Sequence, residues 1–111
     1  MTRQINRVEL EALLDTGAVV LVDALPSSYY DQEHLPGALN LVEAEVADLA
    51  PTLLPDLNAT IVTYCSNTAC GNSSAVAKRL EDLGYADVRT YAAGIADWVE
   101  AGNPTESTVA A

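Results

Sequence analysis

The chain has 111 residues, half of them hydrophobic, which is enough for one domain with its own core but not for two. Five Lys and Arg against sixteen Asp and Glu give a net charge of −11. Nucleic acid and membrane surfaces are therefore not expected as partners, because both are bound through clustered cations. No apolar run approaches the roughly 20 residues of a membrane-spanning helix. The first residues lack the apolar stretch of a signal peptide, so we expect a cytoplasmic protein.

The first part of the chain predicts a helix followed by a buried strand. Asn6 and Glu9 have the spacing of a capping box, and Gly17 is placed to end the helix. The apolar face of this helix is assigned to Val8, Leu10, Leu13 and Leu14. Residues 18–23 then form an apolar run, which is typical of a strand buried on both faces of a parallel sheet.

The middle of the chain alternates short helices and strands. A short helix is predicted to follow Pro26, and a turn at residues 35–37 leads into a short strand at residues 38–41. The next helix is predicted for residues 43–50, with Pro51 ending it.

The last part of the chain continues this alternation around a loop of small polar residues. The clearest strand covers residues 60–64, and the loop 66–71 separates it from a helix that starts near residues 72–74. The apolar face of that helix is assigned to Val76, Ala77, Leu80 and Leu83. The final segments are a strand at 86–91, a helix carrying Ile95, Trp98 and Val99, and a flexible tail at 105–111. The alternation predicts a single α/β domain over residues 1–104 with a mainly parallel sheet.

Cys65 has the sequence position of a nucleophile. It follows the predicted strand 60–64, and parallel α/β sheets bind ligands outside the carboxyl ends of their strands. The loop 66–71 and the start of the next helix direct backbone N–H groups toward one point, which favours an anion and a reactive thiolate. The alternative is a buried structural cysteine, the usual state of a free thiol. Strand, loop and helix alone leave both interpretations open.

Three stretches of the sequence together resemble the single-domain rhodanese family, over residues 19–104. The first joins Asp23, at the end of a strand, to residues 33–40 (EHLPGALN). The second is residues 61–65 (IVTYC), followed by a helix with the spacing of the family. The third is residues 91–104, which are similar to the closing pattern L-x-GG-x-x-x-W-x-x-AG-x-P. The order and spacing of the three make the resemblance specific.

The resemblance implies a rhodanese-like α/β fold, in which a five-stranded, mainly parallel sheet is flanked by helices on both faces. It also implies a sulfurtransferase, in which Cys65 carries sulfane sulfur as a persulfide. The sulfur would come from a small donor or a protein donor and pass to a thiol or cyanide-like acceptor. The cradle of the anionic sulfur would be Ser66, Asn67, Thr68, Ala69, Cys70, Gly71 and Asn72. No cofactor or metal is implied, and a monomer or weak dimer is expected.

The active-site loop departs from the family pattern in length and charge. Family members often open the helix with an Arg after four intervening residues, whereas six residues separate Cys65 from Asn72 at that position. No Lys or Arg lies between Cys65 and Ala77, and the Asp-x-Arg element of the family is Asp-Ala-Leu at residues 23–25. Phosphatase and arsenate reductase chemistry are disfavoured, because they need that Arg to hold a dianion. Thiosulfate is also a dianion, so we expect a low-charge persulfide or a protein donor.

Cys70 lies within the loop, five positions after Cys65. One interpretation is a small residue that packs the loop. The other is a resolving thiol, which attacks a persulfide on Cys65, releases sulfide and leaves a disulfide. A Cys65/Cys70 dithiol–disulfide redox switch or reductase is therefore an alternative function. A further alternative is a non-catalytic binding module, although inactive family members usually lack the cysteine.

Four other residues are assigned to structural support. Asp23 is expected to hydrogen-bond neighbouring loops, and His34 to satisfy backbone groups in its corner. Ser73 is expected to cap the helix that follows the loop, and Trp98 to pack in the core.

Overall fold

A five-stranded parallel sheet forms the centre of the computed structural model, which describes residues 3–108. The strands are β1 Arg3–Ile5, β2 Val19–Asp23, β3 Leu39–Asn40, β4 Thr60–Tyr64 and β5 Asp87–Tyr91. Their spatial order is β1-β5-β4-β2-β3, and every pairing is parallel. The central position therefore belongs to β4, which pairs with both β2 and β5.

Helices cover both faces of this sheet. They are α1 Arg7–Thr16, α2 Ser27–Gln32, α3 Val46–Leu53, α4 Asn72–Asp82 and α5 Gly94–Glu100, with a 3₁₀ turn Glu43–Glu45 before α3. On one face α3 and α4 bury Val46, Val76 and Leu80. On the other face α1 and α5 bury Leu10 and Trp98. The predicted α/β class and five-stranded parallel sheet are confirmed.

Pro51 does not end the third helix, contrary to the sequence prediction. α3 begins at Val46, after the 3₁₀ turn, and continues through the proline to Leu53. The φ angle of proline suits a helix, and its missing N–H removes one backbone hydrogen bond from a short element. Burial of Ala50 and Leu54 around the proline favours the helical path.

Two side chains assigned to apolar helix faces, Val8 and Leu83, are exposed instead, and so is Val99 of the last helix. Val8 lies two positions before the buried Leu10, so the helical period turns it about 200° away, toward solvent. Leu83 lies beyond the end of α4, where the helical period no longer applies. Val99 follows the buried Trp98 and is rotated about 100° from it.

No hydrophobic pattern predicts β1, because only Ile5 of its three residues is buried. Arg3 and Gln4 are exposed at the edge of the sheet. The strand is defined by its parallel pairing with β5, in which Arg3 is in register with Arg89 and Ile5 with Tyr91. Backbone pairing of this kind leaves little trace in a three-residue stretch of sequence.

Residues 105–108, assigned to a flexible tail by the sequence analysis, are hydrogen-bonded to the segment 31–37. Glu106 and His34 exchange both backbone hydrogen bonds, at 2.8 and 2.9 Å. The Glu106 carboxylate also accepts a hydrogen bond from the Gly37 N–H at 3.0 Å. The rest of the predicted tail lies outside the described residues. Within the described part of the chain, no helix is long and apolar enough to cross a membrane.

Candidate active site

Cys65 lies at the carboxyl end of β4, in the centre of the sheet. The carboxyl ends of β2 and β5 flank it, because Asp23 and Tyr91 are both in register with Tyr64. The Cys65 side chain is 1% exposed and packs in the core on the side of α3 and α4. Residues 65–71 connect β4 to α4, so the sulfur lies beside the first turn of that helix.

The start of α5 holds the backbone of the active-site loop. The Ile95 N–H donates to the Cys65 carbonyl at 2.9 Å, and the Ala96 N–H donates to the Ser66 carbonyl at 2.9 Å. Gly94 has φ +71°, and a Cβ atom there would lie 2.6 Å from the Cys65 carbonyl oxygen. Only glycine permits this approach. Gly94 was not predicted as a site residue, although its place in the closing motif was a signal.

A tight turn inside the loop returns Cys70 to Cys65. The Cys70 N–H donates to the Asn67 carbonyl at 3.0 Å, and the Ala69 N–H donates to Asn67 Oδ1 at 2.9 Å. The Cα atoms of the two cysteines are 6.4 Å apart, within the range that a disulfide spans. The two sulfur atoms are in disulfide contact. The structure therefore brings together the two thiols that the sequence places five positions apart.

Ser73 contacts the sulfur of Cys65. Its Oγ lies 3.5 Å from Cys65 Sγ, and the residue is 2% exposed. Its carbonyl accepts a hydrogen bond from Thr63 Oγ1 at 2.9 Å, which joins the first turn of α4 to β4. The prediction that Ser73 caps the helix is wrong, because α4 begins at Asn72 with Gly71 at the N-cap position and no side-chain cap. Its hydroxyl contacts the cysteine instead.

Some N–H groups of the predicted cradle already donate hydrogen bonds within the loop. The N–H groups of Ala69 and Cys70 both donate to Asn67 and are not directed at an external anion. Asn72, at the position of the family's Arg, donates its side-chain amide to the Ala24 carbonyl at 3.3 Å. The exposed residues of the cradle are Asn67, Thr68, Ala69, Gly71 and Asn72, and Ser66 and Cys70 are half-buried. We call this arrangement, in which Cys70 contacts Cys65 and Cys65 is buried, the closed loop.

A buried hydrogen-bond network fixes the residue that precedes Cys65. The Tyr64 hydroxyl donates to Asp23 Oδ2 at 2.8 Å and accepts a hydrogen bond from the Leu35 N–H at 2.9 Å. Asp23 Oδ1 accepts a hydrogen bond from the Leu25 N–H at 2.8 Å. Burial raises the pKa of Asp23, although the Leu25 and Tyr64 hydrogen bonds act in the opposite direction. Asp23 therefore joins the ends of β2 and β4 next to the candidate nucleophile.

His34 and Trp98 lie in the core away from the sulfur. His34 Nδ1 is 2.7 Å from the Tyr30 carbonyl, and the imidazole stacks on the Tyr30 ring at a centroid distance of 3.9 Å. His34 Nε2 lies 3.9 Å from a Glu106 carboxylate oxygen. The Trp98 Nε1–H donates to the Pro104 carbonyl at 2.8 Å. Neither residue has a described contact with Cys65.

A cleft of about 480 Å³ reaches the start of α4 from the end of β2. It is lined by Ala24, Pro26, Ser27, Asn40, Val42, Glu43, Ala44, Glu45 and Asn72. Its rim is acidic, and Glu43 is paired with Arg79 at 3.2 Å. Because Cys65 is 1% exposed, its sulfur is not open to this cleft while the loop is closed. Within residues 3–108, no group of three or more His, Cys, Asp or Glu side chains is placed to hold a metal ion.

Comparison with known proteins supports the class that this site defines, a parallel α/β domain with a cysteine loop after its central strand. Residues 6–101 match the rhodanese-like domain family. The chain is 36% identical over 77 residues to the thiosulfate sulfurtransferase PspE of Escherichia coli K12, covering 68% of this chain and 70% of that protein. It superposes with a TM-score of 0.82, at 26% identity, on the solution structure of a rhodanese-like domain from Anabaena sp., covering 96% of this chain and 80% of that one.

The chain belongs to the rhodanese-like domain family, as its sequence motifs predicted. A further relative has a different overall organisation. The chain is 34% identical over 102 residues to the HTH-type transcriptional regulator Rv0324 of Mycobacterium tuberculosis. The match covers 92% of this chain but 44% of the regulator, so the chain spans less than half of that protein.

Proposed function

We propose that the chain is a sulfurtransferase that carries sulfane sulfur as a persulfide on Cys65. The observation that carries this proposal is the placement of Cys65 at the carboxyl end of the central strand, beside the first turn of α4. The relatives named thiosulfate sulfurtransferase support the same reaction class.

The transfer has two balanced steps. The Cys65 thiolate attacks the outer sulfur of a donor persulfide, a new S–S bond forms, and the donor leaves as a thiolate. An acceptor then attacks the outer sulfur of the Cys65 persulfide and takes that sulfur. Cys65 is the leaving group and returns to the thiolate that began the cycle. A thiol acceptor becomes a persulfide, and cyanide becomes thiocyanate.

The charge of the site favours a donor of low charge over thiosulfate. No Lys or Arg lies between Cys65 and Ala77, and the chain as a whole carries −11. A dianion held by neutral donors in this field loses the charge-assisted hydrogen bonds that an Arg provides. A small monoanionic persulfide, or a persulfide presented by another protein, avoids this penalty.

Replacing Cys65 by Ser tests the proposal. Fully reduced wild type supplied with glutathione persulfide and excess cyanide, which competes with Cys70 for the persulfide, is expected to form thiocyanate, and Cys65→Ser is expected to lose this activity to the background rate. The matched control adds Ala86→Cys to Cys65→Ser, which restores one thiol at an exposed position before β5. Thiocyanate formation that persists in Cys65→Ser, or returns in the control, would contradict the role of Cys65.

A second candidate function is a dithiol–disulfide redox couple, which the contact between the two sulfurs favours. Thiol titration and intact mass separate the two functions. A reversible loss of two hydrogens in wild type, together with a Cys70→Ser variant that takes up no sulfane sulfur, would identify the redox couple. The non-catalytic binding module is the weaker alternative, since a cysteine is retained at position 65.

A further inference from the structure

We propose that Cys70 resolves the Cys65 persulfide, and that an external dithiol then reopens the resulting disulfide by attacking Cys70. This inference rests on the proposed function, since a persulfide must first form on Cys65. It adds a second activity, the release of sulfide, and it names a reductant class as the required partner. It also specifies which sulfur the reductant attacks, that of Cys70.

The fold holds Cys70 within bonding distance of the persulfide carrier. The hydrogen bonds of Asn67 to the Ala69 and Cys70 N–H groups close the turn that brings the second cysteine back. The Cα atoms are 6.4 Å apart, and the sulfurs are in contact. Cys70 also packs against the core cluster that contains Cys65, but packing alone does not require the two sulfurs to be in contact.

The resolving step balances in atoms and electrons. The Cys70 thiolate attacks Sγ of Cys65, the inner sulfur of the persulfide, and an Sγ–Sγ bond forms. The bond between Cys65 Sγ and the outer sulfur breaks, and its electron pair leaves with the outer sulfur as HS⁻. The product is the closed loop that the structure shows, in which Cys65 is buried.

The two cysteine residues differ in exposure, and we take this difference to set which sulfur the reductant attacks. Cys65 is 1% exposed, whereas Cys70 is half-buried in a surface loop. An incoming thiolate therefore reaches Cys70 first. Its attack forms a mixed disulfide on Cys70, breaks the Sγ–Sγ bond and leaves the electron pair on Cys65. Ser73 Oγ, 3.5 Å from that sulfur, is placed to donate a hydrogen bond to it.

The proposed reductant is a dithiol, because a dithiol completes the reduction within one complex, whereas a monothiol stops at the mixed disulfide until a second thiol molecule attacks it. The second thiol of the reductant attacks its own sulfur in the mixed disulfide, becomes oxidised to a disulfide and frees Cys70 as a thiol. Cys65 is then a thiolate again and can accept the next sulfur. Each sulfide released therefore consumes one dithiol.

Loss of Cys70 should trap the loaded persulfide. Reduced wild type, Cys70→Ser and the control Ala86→Ser are treated with one equivalent of glutathione persulfide, then followed by intact mass and by sulfide release. Wild type and the control should release sulfide and lose two hydrogens. Cys70→Ser should gain one sulfur atom and release sulfide slower by about tenfold or more.

The outcomes distinguish the two proposals. If Cys70→Ser gains no sulfur, the sulfur-carrier function is wrong and the resolving role falls with it. If Cys70→Ser gains sulfur but wild type retains its sulfur equally long, only the resolving role is wrong.

Trapping the mixed disulfide tests whether the reductant attacks the sulfur of Cys70 or that of Cys65. The oxidised wild type is mixed with a thioredoxin-type dithiol protein whose second cysteine is replaced by Ser, and the mixed disulfide is located by peptide fragmentation. We expect the trapped partner on Cys70. A partner found on Cys65 would overturn the proposed attack on Cys70.

Discussion

The side chains of Ser73 and Cys70 contact the sulfur of Cys65, and neither carries a positive charge. Ser73 Oγ lies 3.5 Å away, and Cys70 Sγ is in disulfide contact. Asn72, at the position where family members often have an Arg, hydrogen-bonds Ala24 instead. A thiolate on Cys65 therefore depends on a hydroxyl and on the dipole at the start of α4.

Removal of the Ser73 hydroxyl should make the Cys65 thiolate less stable relative to the thiol. In the Cys70→Ser background, Ser73→Ala is expected to raise the pH at which iodoacetamide alkylation of Cys65 is half-maximal, by about one unit. The control is Ser74→Ala, which removes the hydroxyl of the exposed neighbour. Equal profiles for the two variants would show that the Ser73 contact does not stabilise the thiolate.

At the scale of single residues, the sequence predicts the position of the candidate nucleophile better than the contacts around it. Cys65 could be located because a buried strand, a polar loop and a helix follow a known order. The disulfide contact could not be decided, because a separation of five positions permits both an open and a closed loop. Ser73 was assigned to a cap because serines near a helix start usually cap it, and only the fold shows that this one is buried against the sulfur.

At the scale of elements, α5 and the active-site loop form one unit. Two N–H groups at the start of α5 bind the carbonyls of Cys65 and Ser66, and Gly94 lets the backbones meet. The loop therefore keeps the position of Cys65 while the turn at Asn67 sets the position of Cys70.

An alanine at position 94 should damage both stability and activity. Gly94→Ala places a Cβ atom 2.6 Å from the Cys65 carbonyl oxygen and puts a side chain on a backbone with φ +71°. We therefore expect the free energy of unfolding, measured in urea, to fall by about 2–4 kcal/mol. The control is Gly17→Ala, at φ +70° with no atom within 4 Å of the added Cβ, which should lose about 1–2 kcal/mol. Equal losses, with sulfur uptake intact in Gly94→Ala, would contradict the contact.

Hydrophobic patterns predict the buried elements and miss those held by backbone hydrogen bonds. β4 and α4 could be predicted because Ile61, Val62, Val76 and Leu80 give clear strand and helix periods. β1 and residues 105–108 have no such pattern, since their pairing with distant segments uses the backbone. Pro51 misled the prediction because tertiary burial outweighs one lost hydrogen bond.

At the scale of the whole molecule, acidic side chains outnumber basic ones, and the basic side chains below are paired with acidic ones. The described ion pairs of basic side chains are Arg7–Asp97 at 3.0 Å, Lys78–Asp82 at 3.5 Å, Arg79–Glu43 at 3.2 Å and Arg89–Asp87 at 3.0 Å. A net charge of −11 therefore repels small dianions from the cleft and the loop.

Thiosulfate turnover should respond to salt and to one added charge. Its kcat/KM is expected to rise with KCl, because screening weakens the repulsion, while that of a low-charge persulfide changes little. Asn72→Arg should raise kcat/KM for thiosulfate by about tenfold or more at low salt. Asn58→Arg adds the same charge at an exposed position before β4 and serves as the control. High thiosulfate turnover by wild type at low salt would contradict the charge argument.

The most direct measurement of the role of Cys65 is the intact mass of fully reduced protein after exposure to glutathione persulfide, with Cys70→Ser and Cys65→Ser beside wild type. Cys70→Ser should gain the mass of one sulfur atom, removable by cyanide, and Cys65→Ser should gain none. A sulfur adduct on Cys65→Ser, or no adduct on Cys70→Ser, would contradict the assignment of Cys65 as the sulfur carrier.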